Sequence, residues 1–158
     1  MSRTGGPQVA LEGDKALMKV FRDMKGPVGR RVMRSSLQSG LTIIAREARK
    51  RAPGNNEYRF RDMIGTKVKT TSKRNVLGYV YVKEHGADTV TVEGREVDLA
   101  VAANFVEFGT PTAKAHSFIR AARAAKGGQA LAAVKAKASV RIDVEWKKAH
   151  ARHRAIWK

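Results

Sequence analysis

A chain of 158 residues fits one compact domain and leaves no room for a second of ordinary size. It has no cysteine, which excludes disulfides, thiolate nucleophiles and cysteine-based zinc or iron–sulfur sites. No stretch approaches the ~20 consecutive apolar residues that span a bilayer, and Met1 to Asp14 lacks the apolar core of a signal peptide.

Lys and Arg number 32 against 14 Asp and Glu, a net charge of +18 that predicts an acidic partner: nucleic acid, an anionic membrane or an acidic protein surface. The ends carry that charge. Residues 1–53 hold 12 basic and 4 acidic side chains, 54–110 hold 8 of each, and 111–158 hold 12 and 2. Only 6% of residues are aromatic, so the core should be aliphatic and modest, leaning on neighbours in an assembly.

The opening MSRTGGPQ is Gly-rich and polar, and residues 1–13 read as a flexible arm in which Val9 to Leu11 can add a short strand. Asp14 is placed to cap a helix running to Met24, where Leu17, Val20, Phe21 and Met24 repeat at helical spacing. Gly26 and Pro27 stop that helix and start the next.

Val28 to Arg51 is the clearest helix, with Val28, Val32, Leu37, Leu41, Ile44 and Ala48 forming one apolar stripe. Arg30, Arg31, Arg34, Arg46, Arg49 and Lys50 lie on its flanks and are the candidates for facing DNA; a solvated helix face is the plain alternative. Arg49, Lys50 and Arg51 also suit the negative end of the helix dipole.

Pro53 and Gly54 end this helix, after which the texture turns β-branched and aromatic. Thr66–Thr71, Asn75–Val82, Thr89–Val92 and Glu96–Val101 read as strands, joined in hairpins through Ser72–Arg74 and Glu93–Gly94. Beyond Thr110 a loop, PTAKAH, leads to a helix over Phe118–Lys126; Gly127 and Gly128 are expected to break or bend it before it resumes over Gln129–Lys148.

The order of elements predicts an α+β domain over residues 14–148, with a long N-terminal helix and a C-terminal helix packed on a small, mainly antiparallel β-sheet. Residues 149–158 form a basic tail in which Ile156 and Trp157 are candidate apolar anchors for docking on a partner; an amphipathic helix end packing on its own domain is the alternative.

No acid, base, nucleophile or metal set converges, so no catalysis, cofactor or metal is expected. His150 and His153 share a helix face without a third ligand, and Glu84, Asp88, Glu93, Glu96 and Asp98 lie in or beside hairpin turns. Neither a phosphate-cradling loop, a nucleophile elbow nor a known nucleic-acid module is present. Charge alone supports affinity for phosphate without sequence reading.

One stretch stands apart from composition: Asn104, Phe105, Val106, Glu107, Phe108, Gly109, Thr110, then after a loop Ser117, Phe118, Ile119, Arg120, Ala121, Ala122. Glu107 is the only acid between Asp98 and Asp143 and is expected to pair with a cation, either Arg120 of its own subunit or one across an interface. Gly109 can adopt backbone angles closed to other residues, reversing the chain, and Thr110 can cap the turn through its hydroxyl.

This pattern resembles the phage neck and tail-completion family named after gene product ten of the lambdoid phage Hong Kong ninety-seven, whose members carry a VEFGT segment, a variable loop and a PFLRPA-like helix start. Two further marks agree: Ala52 and Pro53 end the basic helix, and Arg59, Phe60, Arg61, Asp62, Met63 and Ile64 occupy the turn that follows. The resemblance covers about Asp14 to Lys126. Polar residues around Asn56 and Glu57 replace the family's usual Thr-Gly, Ser117 stands where proline is common, and Ala121 where the helix proline often falls.

The resemblance implies a structural virion protein repeated in a ring, six-fold by analogy, in the neck of a tailed bacteriophage. There it would act as head–tail connector, tail-completion or tail-terminator protein, made in the host cytoplasm. Its implied partners are itself, adjacent neck or tail proteins (head-closure or adaptor protein, tail tube) and genomic DNA, met non-specifically in the lumen, with no membrane. Phe105, Glu107, Phe108, Gly109, Thr110, Phe118 and Arg120 would then be family-motif residues and subunit contacts. A non-specific nucleic-acid-binding basic protein of host or phage is the competing reading, which explains the charge but not the neutral, hairpin-rich middle.

Overall fold

The computed structural model describes residues 9–10, 26–53, 60–70, 76–83, 89–92 and 94–156. In chain order the elements are β1 (Val9–Ala10), α1 (Gly26–Arg51), α2 (Phe60–Met63), β2 (Ile64–Thr70), β3 (Val76–Val82), β4 (Thr89–Val92), β5 (Arg95–Asp98), α3 (Leu99–Phe108) and α4 (Ile119–Ile156). This is an α+β arrangement. The helix expected over Asp14–Met24, His85 and Trp157 lie outside the described residues.

β3 is the middle strand of an antiparallel sheet ordered β1-β3-β2. Val9 and Ala10 pair with Val80 and Tyr79, and Ile64, Thr66 and Val68 of β2 stand opposite Val82, Val80 and Gly78. The period of two sends Val80 and Val82 inward, where they are fully buried with Ile64. At Gly78 a methyl group would come within 2.7 Å of Leu41 Cδ1, so the missing side chain lets α1 lie close on the sheet. β4 and β5 form a separate hairpin turned at Gly94, which has φ +77°.

α1 is covered twice. Leu41, Ile44, Ala45 and Ala48 join the main core with the sheet, while Val32 and Met33 pack with Ala138 of α4 in a second cluster. Ser36 and Gly40 are also buried, and Ser39 Oγ donates to the Ala133 carbonyl at 3.3 Å, which requires the two helices to approach closely. Periodicity along α1 alone marked a single stripe; α4 adds a second buried face made largely of small residues that hydropathy does not flag.

α4 runs unbroken through Gly127 and Gly128, contrary to the expected break. Each glycine costs about 1 kcal/mol relative to alanine in a helix, but Ala122 and Ala130, buried on either side of them, hold the helix down. A methyl group at either glycine would meet nothing within 4 Å. Gly127→Ala and Gly128→Ala are therefore expected to stabilise the protein by about 0.5–1 kcal/mol each, raising the melting temperature by roughly 2–3 °C each; a fall would show that α4 needs a hinge there. The helix also continues past Lys148 to Ile156, and no helix among the described residues is long and apolar enough to cross a membrane.

Candidate functional site

The strand expected over Glu96–Val101 stops at Asp98, whose carboxylate accepts from the Ala100 amide at 2.7 Å and so caps α3. Asp followed by Leu-Ala-Val-Ala-Ala is a helix start, which the alternating Val97 and Val101 obscured. α3 carries the Phe105–Phe108 part of the motif, and the loop that follows returns the chain to begin α4.

The two helix ends that meet at this junction partner each other. The last carbonyls of α3 accept in series: Phe105 from the Gly109 amide at 2.7 Å, Val106 from the His116 amide at 2.7 Å, and Glu107 from Arg120 Nη2 at 2.6 Å. The first amides of α4 all donate to one carboxylate: Phe118 and Ile119 to Glu107 Oε2 at 2.7 and 3.0 Å, and Arg120 to Oε1 at 2.9 Å, with Arg120 Nε added at 3.2 Å.

Glu107 therefore caps the N-terminus of α4 from a position 11 residues before Phe118, and Arg120 caps the C-terminus of α3 in return. The negative charge also sits at the positive end of a 38-residue helix. Glu107 is completely buried, so the ion pair foreseen with Arg120 exists, but the backbone amides account for most of the carboxylate's bonding.

Gly109 has φ +81° and ψ 173°, a conformation open in practice to glycine only. Thr110 closes the loop: its amide donates to the Ala113 carbonyl at 2.9 Å, and its hydroxyl accepts from the Ala113 amide at 3.0 Å. His116 Nε2 lies 3.3 Å from the Arg51 carbonyl, and Arg61 Nε donates to the Ala52 carbonyl at 3.2 Å, so the end of α1 is tied to the same region. Phe60 stacks on Phe118, centroids 6.2 Å apart, both rings fully buried.

Three sequence marks far apart in the chain thus meet in one core: Ala52 at the end of α1, Phe60 and Ile64 after the turn, and Phe118 with Ile119 at the start of α4. No periodicity could have shown this, because the contacts join separate elements.

The motif divides into an inside and an outside. Glu107 and Phe118 are enclosed within the subunit and have no surface to offer a neighbour. Val101, Phe105 and Phe108 are exposed at 39%, 39% and 56%; their spacing of four and three places them on one face of α3. The Arg120 guanidinium lies 4.7 Å over the Phe108 ring.

The basic residues of α1 also divide. Arg31 and Arg34 are near its start, whereas Arg46, Arg49 and Lys50 are in its last turns, about 18 Å further along the axis, so they form no single patch. Arg30 is half-buried, and Arg49 Nη2 is committed to the Ile64 carbonyl at 2.6 Å. Ile156 ends α4.

A family model described as "Bacteriophage HK97-gp10, putative tail-component" matches residues 15–109, from before α1 to the glycine of the motif. Ser117 to Ala122 lie beyond the matched segment. Comparison with curated proteins and with solved structures gave no match. The match spans more than half of the chain, and the chain belongs to the HK97-gp10-like family of bacteriophage tail components.

Proposed function

We propose that the chain is a non-catalytic structural protein of the virion, repeated as a closed six-fold ring in the neck, where it completes or terminates the tail and lets the genome pass through its lumen. The family match over residues 15–109 carries this reading. Rings of this kind arise when one surface of a subunit seats on a different surface of the next. The exposed stripe of Val101, Phe105 and Phe108 lies within the matched segment and supplies an apolar surface of the sort that seeks a partner. Adjacent neck or tail proteins are the remaining contacts, and DNA in the lumen accounts for the net +18.

Light scattering and electron microscopy of the purified chain test this. Rings of one discrete size are expected, either alone or on purified tails. Phe105→Ser with Phe108→Ser should shift them to monomers while the chain stays folded, because both rings are part-exposed, at 39% and 56%, and neither belongs to the buried core. A chain that stays monomeric on its own and with tails, and is missing from purified particles, overturns the reading.

A further inference from the structure

The first turns of α1 lie against α4 around Arg141 to Lys148, and an open cleft of about 420 Å³ lies between them. Arg31, Arg34 and Ser35 form one wall, at helical steps of three and four; Arg141, Glu145 and Lys148 form the other, at steps of four and three. Val32, almost completely buried, also lines it.

Four cations face one carboxylate. Glu145 Oε1 is 3.6 Å from Lys148 Nζ, and Arg141 Nε donates to Ser35 Oγ at 3.3 Å. Among the described residues Arg31 and Arg34 have neither an ion-pair nor a hydrogen-bond partner. Arg31, Arg34, Arg141 and Lys148 share this cleft with the single carboxylate of Glu145, a surplus of positive charge that an anion offsets, and phosphate oxygens match guanidinium N–H geometry.

We infer that this cleft is a site for the phosphate backbone of nucleic acid, with Arg31, Arg34 and Arg141 as its phosphate ligands. From Arg141 to Lys148 the basic wall runs about 10 Å along α4, longer than one phosphate group, so the open groove suits successive phosphates of a polymer. Among the described residues no aromatic side chain lines it, so the contact offers phosphate ligands without a base-stacking platform, which suits recognition independent of sequence. The inference rests on the lumen reading only for its biological setting; the affinity belongs to the subunit.

The test compares two variants with the same loss of charge. Arg31→Gln with Arg34→Gln removes two of the cleft's four cations, and Arg46→Gln with Lys50→Gln removes two cations from the far end of α1. Binding of a duplex DNA of random sequence to the full-length protein is measured across a salt series by fluorescence anisotropy.

The cleft variant is expected to lower the slope of log K against log salt by about 1.8, that is 0.9 for each lost phosphate contact, and to weaken binding at least tenfold at low salt. The far-end variant should change the slope by less than half as much. Equal losses would mean that overall charge alone drives binding, and an unchanged cleft variant would place the contact elsewhere; either result overturns the inference. Inorganic phosphate is titrated in parallel, and its binding without DNA binding would reduce the cleft to a free-anion site and overturn it as well. Ring size, read on the same samples, separates the two readings: wild-type protein that forms no ring, with or without tails, while losing DNA affinity through the cleft variant, sinks the neck ring and leaves the cleft standing.

Discussion

Glu107→Ala is expected to be among the most damaging single substitutions in this protein, costing about 3–5 kcal/mol and lowering the melting temperature by roughly 10 °C or more. The change strands the Phe118, Ile119 and Arg120 amides, which all donate to this carboxylate, the first two of them in fully buried residues. Glu107→Gln should recover little. One carboxylate oxygen faces two amides and the other faces an amide and a guanidinium, so an NH2 group in either place points a donor at donors.

Arg120→Ala provides the contrast. Its side chain is half-exposed and its backbone amide survives the substitution, so a loss of about 1 kcal/mol is expected. Thermal melts followed by circular dichroism measure all three. A glutamine variant that melts with wild type would show that a single acceptor suffices, and the capping account would fail.

Gly109→Ala is expected to cost about 3 kcal/mol for two reasons that add. The backbone at φ +81° and ψ 173° is strained for any residue with a Cβ, and that Cβ would lie 2.9 Å from both the Ala113 carbonyl oxygen and the Ala115 nitrogen. Both are backbone atoms of a loop pinned by Thr110 and His116, so neither yields without breaking a hydrogen bond. An alanine variant melting within about 2 °C of wild type would mean that the loop relaxes freely.

Together these outcomes assign the letters of the motif different tasks. Glutamate and glycine join α3 to α4 and hold the fold, so their loss should reduce folded protein before it affects assembly. The two phenylalanines beside them face outward, and their loss should affect assembly while the fold persists. Measuring ring formation and melting on the same variants keeps the two effects apart.

Local rules made much of the architecture readable. Helical spacing, together with Pro27 and Pro53 as boundaries, marked α1 nearly to the residue, because its apolar stripe and its stops are encoded within one turn of themselves. β3 declared itself through β-branched and aromatic residues, and Gly94 marked the β4–β5 turn. The family was legible because Glu107, Phe108, Gly109 and Thr110 and the helix start from Phe118 to Ala122 are two short contiguous patterns in a fixed order.

Only the tertiary structure decided the rest. α3 was hidden because Asp98 reads equally as a turn residue and as a cap, and the helix is settled by the burial of Leu99, Ala102 and Ala103 against other elements. The glycine pair in α4 was overruled by packing on both sides, which outweighs a propensity of about 1 kcal/mol per residue. The role of Glu107 depends on a loop bringing the amides of Phe118, Ile119 and Arg120 back onto it, and the cleft of Arg31, Arg34 and Arg141 depends on residues 106 apart in the chain, such as Ser35 and Arg141, meeting where two helices pack. Sequence alone determined which residues are charged, apolar or conformationally free; which of them meet was determined by chain reversal and close packing, which act between elements and leave no periodic trace within any one of them.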